Sequence, residues 1–423
     1  MGMCMSAQTQ EKKDLKRLAK EIQNAENKAA QLLADMPGRL CCNGATENTS
    51  IHIKQGCKGI NQDSALAWEG FTEDEGSVFL GVFDGHGPNG HLVANKVRDC
   101  LPSLLTLPIQ SLLEDGHENI HHHVKRPIKI AGSKKRMIYV NNGDAHRGKE
   151  NMNHDDIDKE SDWIEEKLIA AFHKMDERLR MHPKISCMSS GATAIAMLIQ
   201  GKDLIVGSIG DSRAILASRS TDGALVAYPL TMDLKPNSEG EKERIEKHNG
   251  RVFALPNEPH IPRFWLPHAN TPGLAMSRAF GDFCLKEHGL IATPQITHRN
   301  LMEEDEFIVL ATDGVWDVLT HEEVMDVILS SPCKEEAAKC VVDAATNAWE
   351  RKNWANRMDD CAVVCHFLKD KLIGPPTSQS KAHELRQGDD RPKHEDVNTQ
   401  TQKTLARYDT LTSPIELPQC VAA

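Results

Sequence analysis

The chain has 423 residues, 39% of them hydrophobic and only 4% aromatic, and its 50 Lys+Arg against 61 Asp+Glu give a formal net charge of −11. That composition describes a globular protein long enough for one large domain or two ordinary ones. The acidic balance, with no concentrated basic stripe, excludes a binder of nucleic-acid phosphates, and twelve scattered cysteines without a C-x-x-C pair exclude a zinc ribbon or a disulfide framework.

Residues 1–49 read as a polar, helix-prone extension. Its start, MGMCMS, fits a myristoylation signal on Gly2, with Cys4 available for palmitate. Lys12, Lys13, Lys16, Arg17 and Lys20 follow, so the two signals that stable anchoring requires stand within a few residues. With no secretory apolar region and no apolar run of membrane-spanning length, the sequence predicts a cytoplasmic protein, peripherally anchored to the cytoplasmic face of the plasma membrane.

From residue 50 to 368 short apolar strands alternate with amphipathic helices. Lys58-Gly59-Ile60-Asn61-Gln62-Asp63 places an acid near the domain's entry. The apolar run 77–83 then ends in Asp84-Gly85-His86-Gly87, and a helix is predicted over 91–106. Residues 113–160, including His121-His122-His123, lose all pattern and predict a disordered surface insertion. Ile164, Leu168, Phe172, Met175 and Leu179 mark the apolar face of a helix over 161–180. Strands follow over 192–199, 203–209 and 213–218. The connectors Gly201-Lys202-Asp203 and Gly210-Asp211-Ser212 are short enough to predict antiparallel neighbours.

The stretch 233–272 predicts a flap, with Pro236, Pro256, Pro259 and Pro262. Trp265 either shapes the flap's surface or packs in a core. Ser238 with Glu241 forms a capping-box pattern, and Asn249-Gly250 ends the helix between. A strand over 307–311 leads to Asp313-Gly314 and Asp317; helices are predicted over 321–331 and 335–349; Asp359-Asp360 precedes a last strand over 362–368. Residues 369–423 form a polar tail, whose final Cys420-Val421-Ala422-Ala423 lacks the basic lead-in expected of a prenylation box. Antiparallel sheets with helices between them predict a layered α+β fold.

One posture recurs. Asp63, Asp84, Asp211, Asp313, Asp317 and Asp359-Asp360 all lie at or near the ends of core strands, where a rigid sheet can aim them at a common point. A single Asp-Gly is more often a turn; several together are hard to explain that way. Gathered carboxylates repel one another, and a hard divalent cation on oxygen ligands keeps them ionised. The absence of Cys/His ligand spacing points to magnesium or manganese rather than zinc.

VFDGHG, SGATA (190–194), GSIGDSRA (207–214), LTMDLKP (230–236), GLAMSRAFGD (273–282), FIVLATDGVWD (307–317) and DDCAVV (359–364) occur in an order that resembles the metal-dependent type 2C protein phosphatases, most closely their plant branch. The resemblance implies a four-layer α-β-β-α sandwich of two antiparallel sheets flanked by helices. It also implies a centre of two Mg2+ or Mn2+ ions with a weaker third, and phosphoserine or phosphothreonine in proteins as substrate. By motif, Asp84 would bridge both metals, the Gly85 carbonyl would ligate one, and Asp313 and Asp359 would complete the other, Asp360 being the alternative for the last position. Asp63 stands near the second metal, Asp211 and Asp317 match the third site, His86 matches the general acid, and Lys58 stands where many members carry a phosphate-gripping arginine. Gln62-Asp63 replaces the common Glu-Asp. Lysine keeps charge but loses the bidentate fork. A monomer is expected. An inactive, phosphatase-like binding protein is the rival reading, and loss of the ligand acids would mark it.

Overall fold

The computed structural model describes residues 36–72, 76–107, 112, 154–352 and 355–369. Gly2, Cys4 and residues 1–35 of the predicted N-terminal extension therefore lie outside the described residues; residues 36–49 of that extension are not helical, because Arg39–Leu40 and Gly44–Ala45 pair into the sheets. The histidine run and the tail beyond residue 369 also lie outside the described residues, as does the predicted insertion up to residue 153. Beyond it the insertion does not reach residue 160, because the helix expected from residue 161 begins at His154 and runs to Arg180.

Two antiparallel sheets stack face to face. In the first, the order is Arg39–Leu40, Asp63–Glu69, Val78–His86, Ala194–Gln200, Asp203–Ile209, Gln295–Asn300, with the short pair Gly191–Ala192 and Phe280–Gly281 attached to the end of Val78–His86. In the second it is Leu225–Pro229, Arg213–Arg219, Asp305–Ala311, Cys361–Phe367, Thr49–Lys54, Gly44–Ala45. The central strands read as unbroken apolar runs because both of their faces are buried. In Val78–His86, Phe79 and Phe83 pack outward under the helices Gly90–Thr106 and His154–Arg180, whereas Val78, Leu80 and Val82 pack inward against the second sheet. Asp305–Ala311 does the same: Phe307, Val309 and Ala311 face the helices His321–Leu329 and Ala337–Arg351, and Ile308 and Leu310 fill the space between the sheets. Helix, sheet, sheet and helix thus make the expected four layers. Thr320 starts the first of the outer pair, its Oγ1 accepting from Glu323 N at 3.2 Å while its own N–H donates to Glu323 Oε2 at 2.8 Å.

Two expectations are corrected. Strands 203–209 and 213–219 are not neighbours: Asp203–Ile209 lies in the first sheet and Arg213–Arg219 in the second. Gly210, at φ 90°, bends the chain so that Gly210-Asp211-Ser212 crosses from sheet to sheet at the sandwich's end. The Ser238–Glu241 capping box does not form either. The helix starts at Glu241 itself, whose carboxylate is taken by Arg244, Arg278 and Ser277. Burial alone would push Glu241 up, but the hydrogen bonds from the two arginines outweigh it and hold the group at about 2. Trp265 belongs to the interior of the flap. It is 4% exposed, stacks on Phe253 at 5.1 Å and donates Nε1–H to the Phe253 carbonyl at 2.9 Å, within the sheet Arg251–Ala254, Pro262–Leu266, Ala269–Leu274.

Far along the last strand, His366 is buried against Thr49, ring Nδ1 to hydroxyl at 2.8 Å. The Thr49 hydroxyl donates its proton to Glu69 at 2.6 Å, so the histidine donates to Thr49 as a neutral ring. Burial pushes His366 down to about 4. The folded state therefore refuses a proton that the unfolded chain accepts below about 6.5, and stability present above that pH is lost as pH falls toward 4. The difference corresponds to about 3 kcal/mol. Unfolding free energies from urea titrations should fall by that much more between pH 7 and 4 for wild type than for His366→Gln.

Candidate metal and phosphate site

The strand ends bring their acids to one edge of the sandwich. Asp63 and Asp84 sit directly opposite each other on adjacent strands. Thr312, which follows Asp305–Ala311, donates Oγ1–H to Asp63 at 2.6 Å and accepts from the Ala362 N–H at 2.9 Å, so one hydroxyl links the two sheets below the site. Asp313 opens the short helix Asp313–Trp316 beside Asp84, and each carboxylate's charge acts on the other.

The electrostatics follow from crowding. Burial, and after it the charges of Asp63, Asp359 and Asp211, push Asp84 well above the usual carboxylate range. Asp313 is pushed the same way by burial, then by Asp84, Asp211, Asp359 and Asp317. Asp63 is raised by burial and by Asp313, Asp360 and Asp359, against the opposing Thr312 hydrogen bond. Asp317 is raised chiefly by burial, with Lys235 and Arg213 opposing. Asp211, 3% exposed, gives Oδ2 to the Lys235 ammonium, while its buried Oδ1 has no hydrogen-bond partner among the described residues.

Asp359 and Asp360 divide their work. Asp360 accepts the Gly56 N–H on Oδ1 and the Gln62 N–H on Oδ2, both at 2.7 Å, and so pins the loop that carries Lys58. Asp359 is left to face the cluster; its Oδ2 pairs with the Lys58 ammonium, itself more than half exposed. Gln62 does not join the acids by its side chain: Nε2 donates to the Gly87 carbonyl at 3.0 Å, and its own carbonyl accepts the Gly85 N–H at 3.1 Å. Gly85 has to be glycine, since a Cβ there would lie 2.3 Å from the Gly90 carbonyl oxygen.

His86 Nε2 meets Asp282 Oδ2 at 2.5 Å. Burial would lower the histidine, but the Asp282 charge and hydrogen bond outweigh it and raise the ring above its ordinary value. Asp282 is the residue that sequence reasoning missed, although it closes GLAMSRAFGD. It is 1% exposed and left-handed at φ 47°, ψ 48°, a conformation Asp tolerates better than most residues. Thr312 and Lys235 were missed too, although they lie within the quoted motifs FIVLATDGVWD and LTMDLKP.

The donors suit a hard divalent cation: the gathered acids offer carboxylate oxygen, burial and mutual repulsion oppose full ionisation without added positive charge, and Asp211 Oδ1 is left over. Among the described residues no three acidic, His or Cys side chains form a ready three-ligand metal cluster. Instead Lys58 and Lys235 lean in and answer part of the charge.

A sandwich with converging strand-end acids and a histidine beside them defines a phosphatase architecture, and the comparisons agree. The family model for protein phosphatase 2C matches residues 119–353, a stretch that holds Asp211, Asp282, Asp313 and Asp317, whereas Asp63, Asp84 and Asp359 lie outside it. The chain belongs to the protein phosphatase 2C family. It is 43% identical over 364 residues to "Probable protein phosphatase 2C 14" of Oryza sativa subsp. japonica, covering 85% of this chain and 67% of that one. To "Probable protein phosphatase 2C 33" of Arabidopsis thaliana it is 38% identical over 419 residues, covering 92% and 84%. In fold it is similar to a crystallised serine-threonine phosphatase 2C from Toxoplasma gondii, with a TM-score of 0.63 at 20% identity, over 79% of this chain and all of that one.

Asp282→Asn should lower kcat on the order of 100-fold with little change in KM, because the histidine loses its orienting charge while the acids are untouched. Steady-state kinetics on a phosphopeptide check this.

Proposed function

We propose that the protein hydrolyses phosphoserine and phosphothreonine monoesters in other proteins, with a pair of divalent cations held by Asp84, Asp313, Asp359, Asp63 and the Gly85 carbonyl. The observation that carries this reading is the convergence of Asp63, Asp84 and Asp313, half-buried, close together and mutually disfavouring ionisation. When bound, such cations supply an acidified water and offset phosphoryl charge. The chain's own residues do the rest. Lys58, exposed at the rim, attracts and holds the phosphate as a point charge. His86, oriented by Asp282, stands two residues from Asp84 and gives a proton to the departing serine or threonine oxygen. Thr312 fixes the Asp63 carboxylate. Asp211 and Asp317 would hold the weaker third cation.

The presence of every ligand acid weighs against an inactive binding protein. Phosphate release from a phosphothreonine peptide, compared with hydrolysis of a phosphodiester, tests the reading. The expected result is release from the monoester alone, abolished by EDTA and restored by Mn2+ or Mg2+; metal-independent release, or none, contradicts it.

We also propose acylation of Gly2, supported by the MGMCMS start, the nearby Cys4 and the basic residues that follow. Gly2→Ala should shift the protein from membrane to soluble fractions, and unchanged fractionation would remove the idea. Among the described residues no helix is long and apolar enough to cross a membrane.

A further inference from the structure

Lys235 stands at the root of the flap, and its position is built rather than incidental. The neighbouring Leu234 is anchored on both sides: its N–H donates to the Gly210 carbonyl at 2.9 Å, and its carbonyl accepts from the Ser277 N–H at 2.7 Å. Asp233 is clamped by the Arg213 guanidinium through two bonds of 2.6 and 2.9 Å. Held between them, Lys235 directs its ammonium to Asp211 Oδ2 and lies 3.8 Å from Asp233 Oδ2. Gly210, the Leu234 partner, is also the residue that bends the chain into Asp211. One short backbone ladder therefore fixes both members of the pair.

Asp211 itself is buried, with one oxygen on the lysine and the other without a partner among the described residues. A carboxylate so placed has one oxygen still able to accept a positive group, yet the charge already beside it opposes a second. We propose that Lys235 is a positioning residue that holds Asp211 in competition with a divalent cation, so that occupancy at Asp211 is weakened by the lysine and coupled to the flap root. This rests on the metal-centre reading above and adds that the chain carries its own competitor for the weakest position. The ammonium secures Asp211 and the start of the flap when divalent cation is scarce. It gives way, wholly or in part, when cation is plentiful.

Manganese binding to the full chain, read by the paramagnetic resonance of free Mn2+ at low salt, tests this without reference to turnover. Lys235→Met should tighten the weakest Mn2+ position on the order of tenfold, since a like charge within a few ångströms is removed. Lys235→Arg keeps the charge and should bind as wild type does. Thermal melts without manganese verify that each variant is folded. Binding by Lys235→Met that equals or falls below wild type overturns the competition while leaving the metal centre standing. A wild type that binds no manganese overturns the metal centre and this inference with it.

Discussion

Asp84→Asn is expected to lower phosphate release on the order of 1000-fold and, without divalent cation, to melt at a higher temperature than the wild type. The two effects have one cause. Asp84 is held well above the usual carboxylate range by burial and by Asp63, Asp359 and Asp211, so at neutral pH the folded protein either keeps a proton that the unfolded chain has released or bears the repulsion. That cost shrinks as pH falls toward the carboxylate range, the reverse of the usual Asp behaviour. An amide removes the charge and the cost together, and with them a ligand that no neighbour replaces. Adding Mn2+ should raise the wild-type melting temperature and leave that of the variant nearly unmoved. Calorimetric melts with EDTA and with Mn2+, beside kcat, check both halves; a variant less stable than wild type in EDTA would contradict the electrostatic account.

Gly191→Ala is expected to damage both the fold and the site. A Cβ at this position would lie 2.3 Å from the Phe280 carbonyl oxygen, 2.4 Å from Asp282 Oδ2 and 2.7 Å from His86 Nε2. Backbone on one side cannot yield, so the His86–Asp282 pair must part. The variant should lose about 3 kcal/mol to overpacking and, in addition, at least the turnover lost by Asp282→Asn. Gly201→Ala is the control: at φ 58° with open space around it, only backbone strain of about 1 kcal/mol applies and kcat stays unchanged. Urea midpoints and kcat on both variants decide the matter.

Much of this was legible from residues alone, for a physical reason. Strands buried on both faces leave long apolar runs, so the strand ends at Asp84 and Asp313 announced themselves. Thr49–Lys54 and Asp63–Glu69 did not, because TSIHIK and DSALAWE mix polar residues with short apolar ones, and only the partner strands show how they pair. The connector Gly210-Asp211-Ser212 is as short as a hairpin turn, and nothing local distinguishes a turn within a sheet from a crossing between sheets. The choice between Asp359 and Asp360 was likewise closed to sequence. Adjacent acids look alike until the Gly56 and Gln62 N–H groups, some 300 positions away in sequence, are seen to occupy one of them. Asp282 carried a signal, an acid after glycine at the end of a recognised motif, but its role depends on a histidine met 196 residues earlier.

The claim beneath all of this is that Asp63, Asp84, Asp313 and Asp359 enclose hard cations at the sandwich's end. An anomalous-scattering map from crystals of the protein grown with Mn2+ measures it directly. The account predicts two strong peaks, each within roughly 2.2 Å of carboxylate oxygens of this set, with Asp84 contributing to both. Peaks elsewhere, or none at this edge, would contradict it.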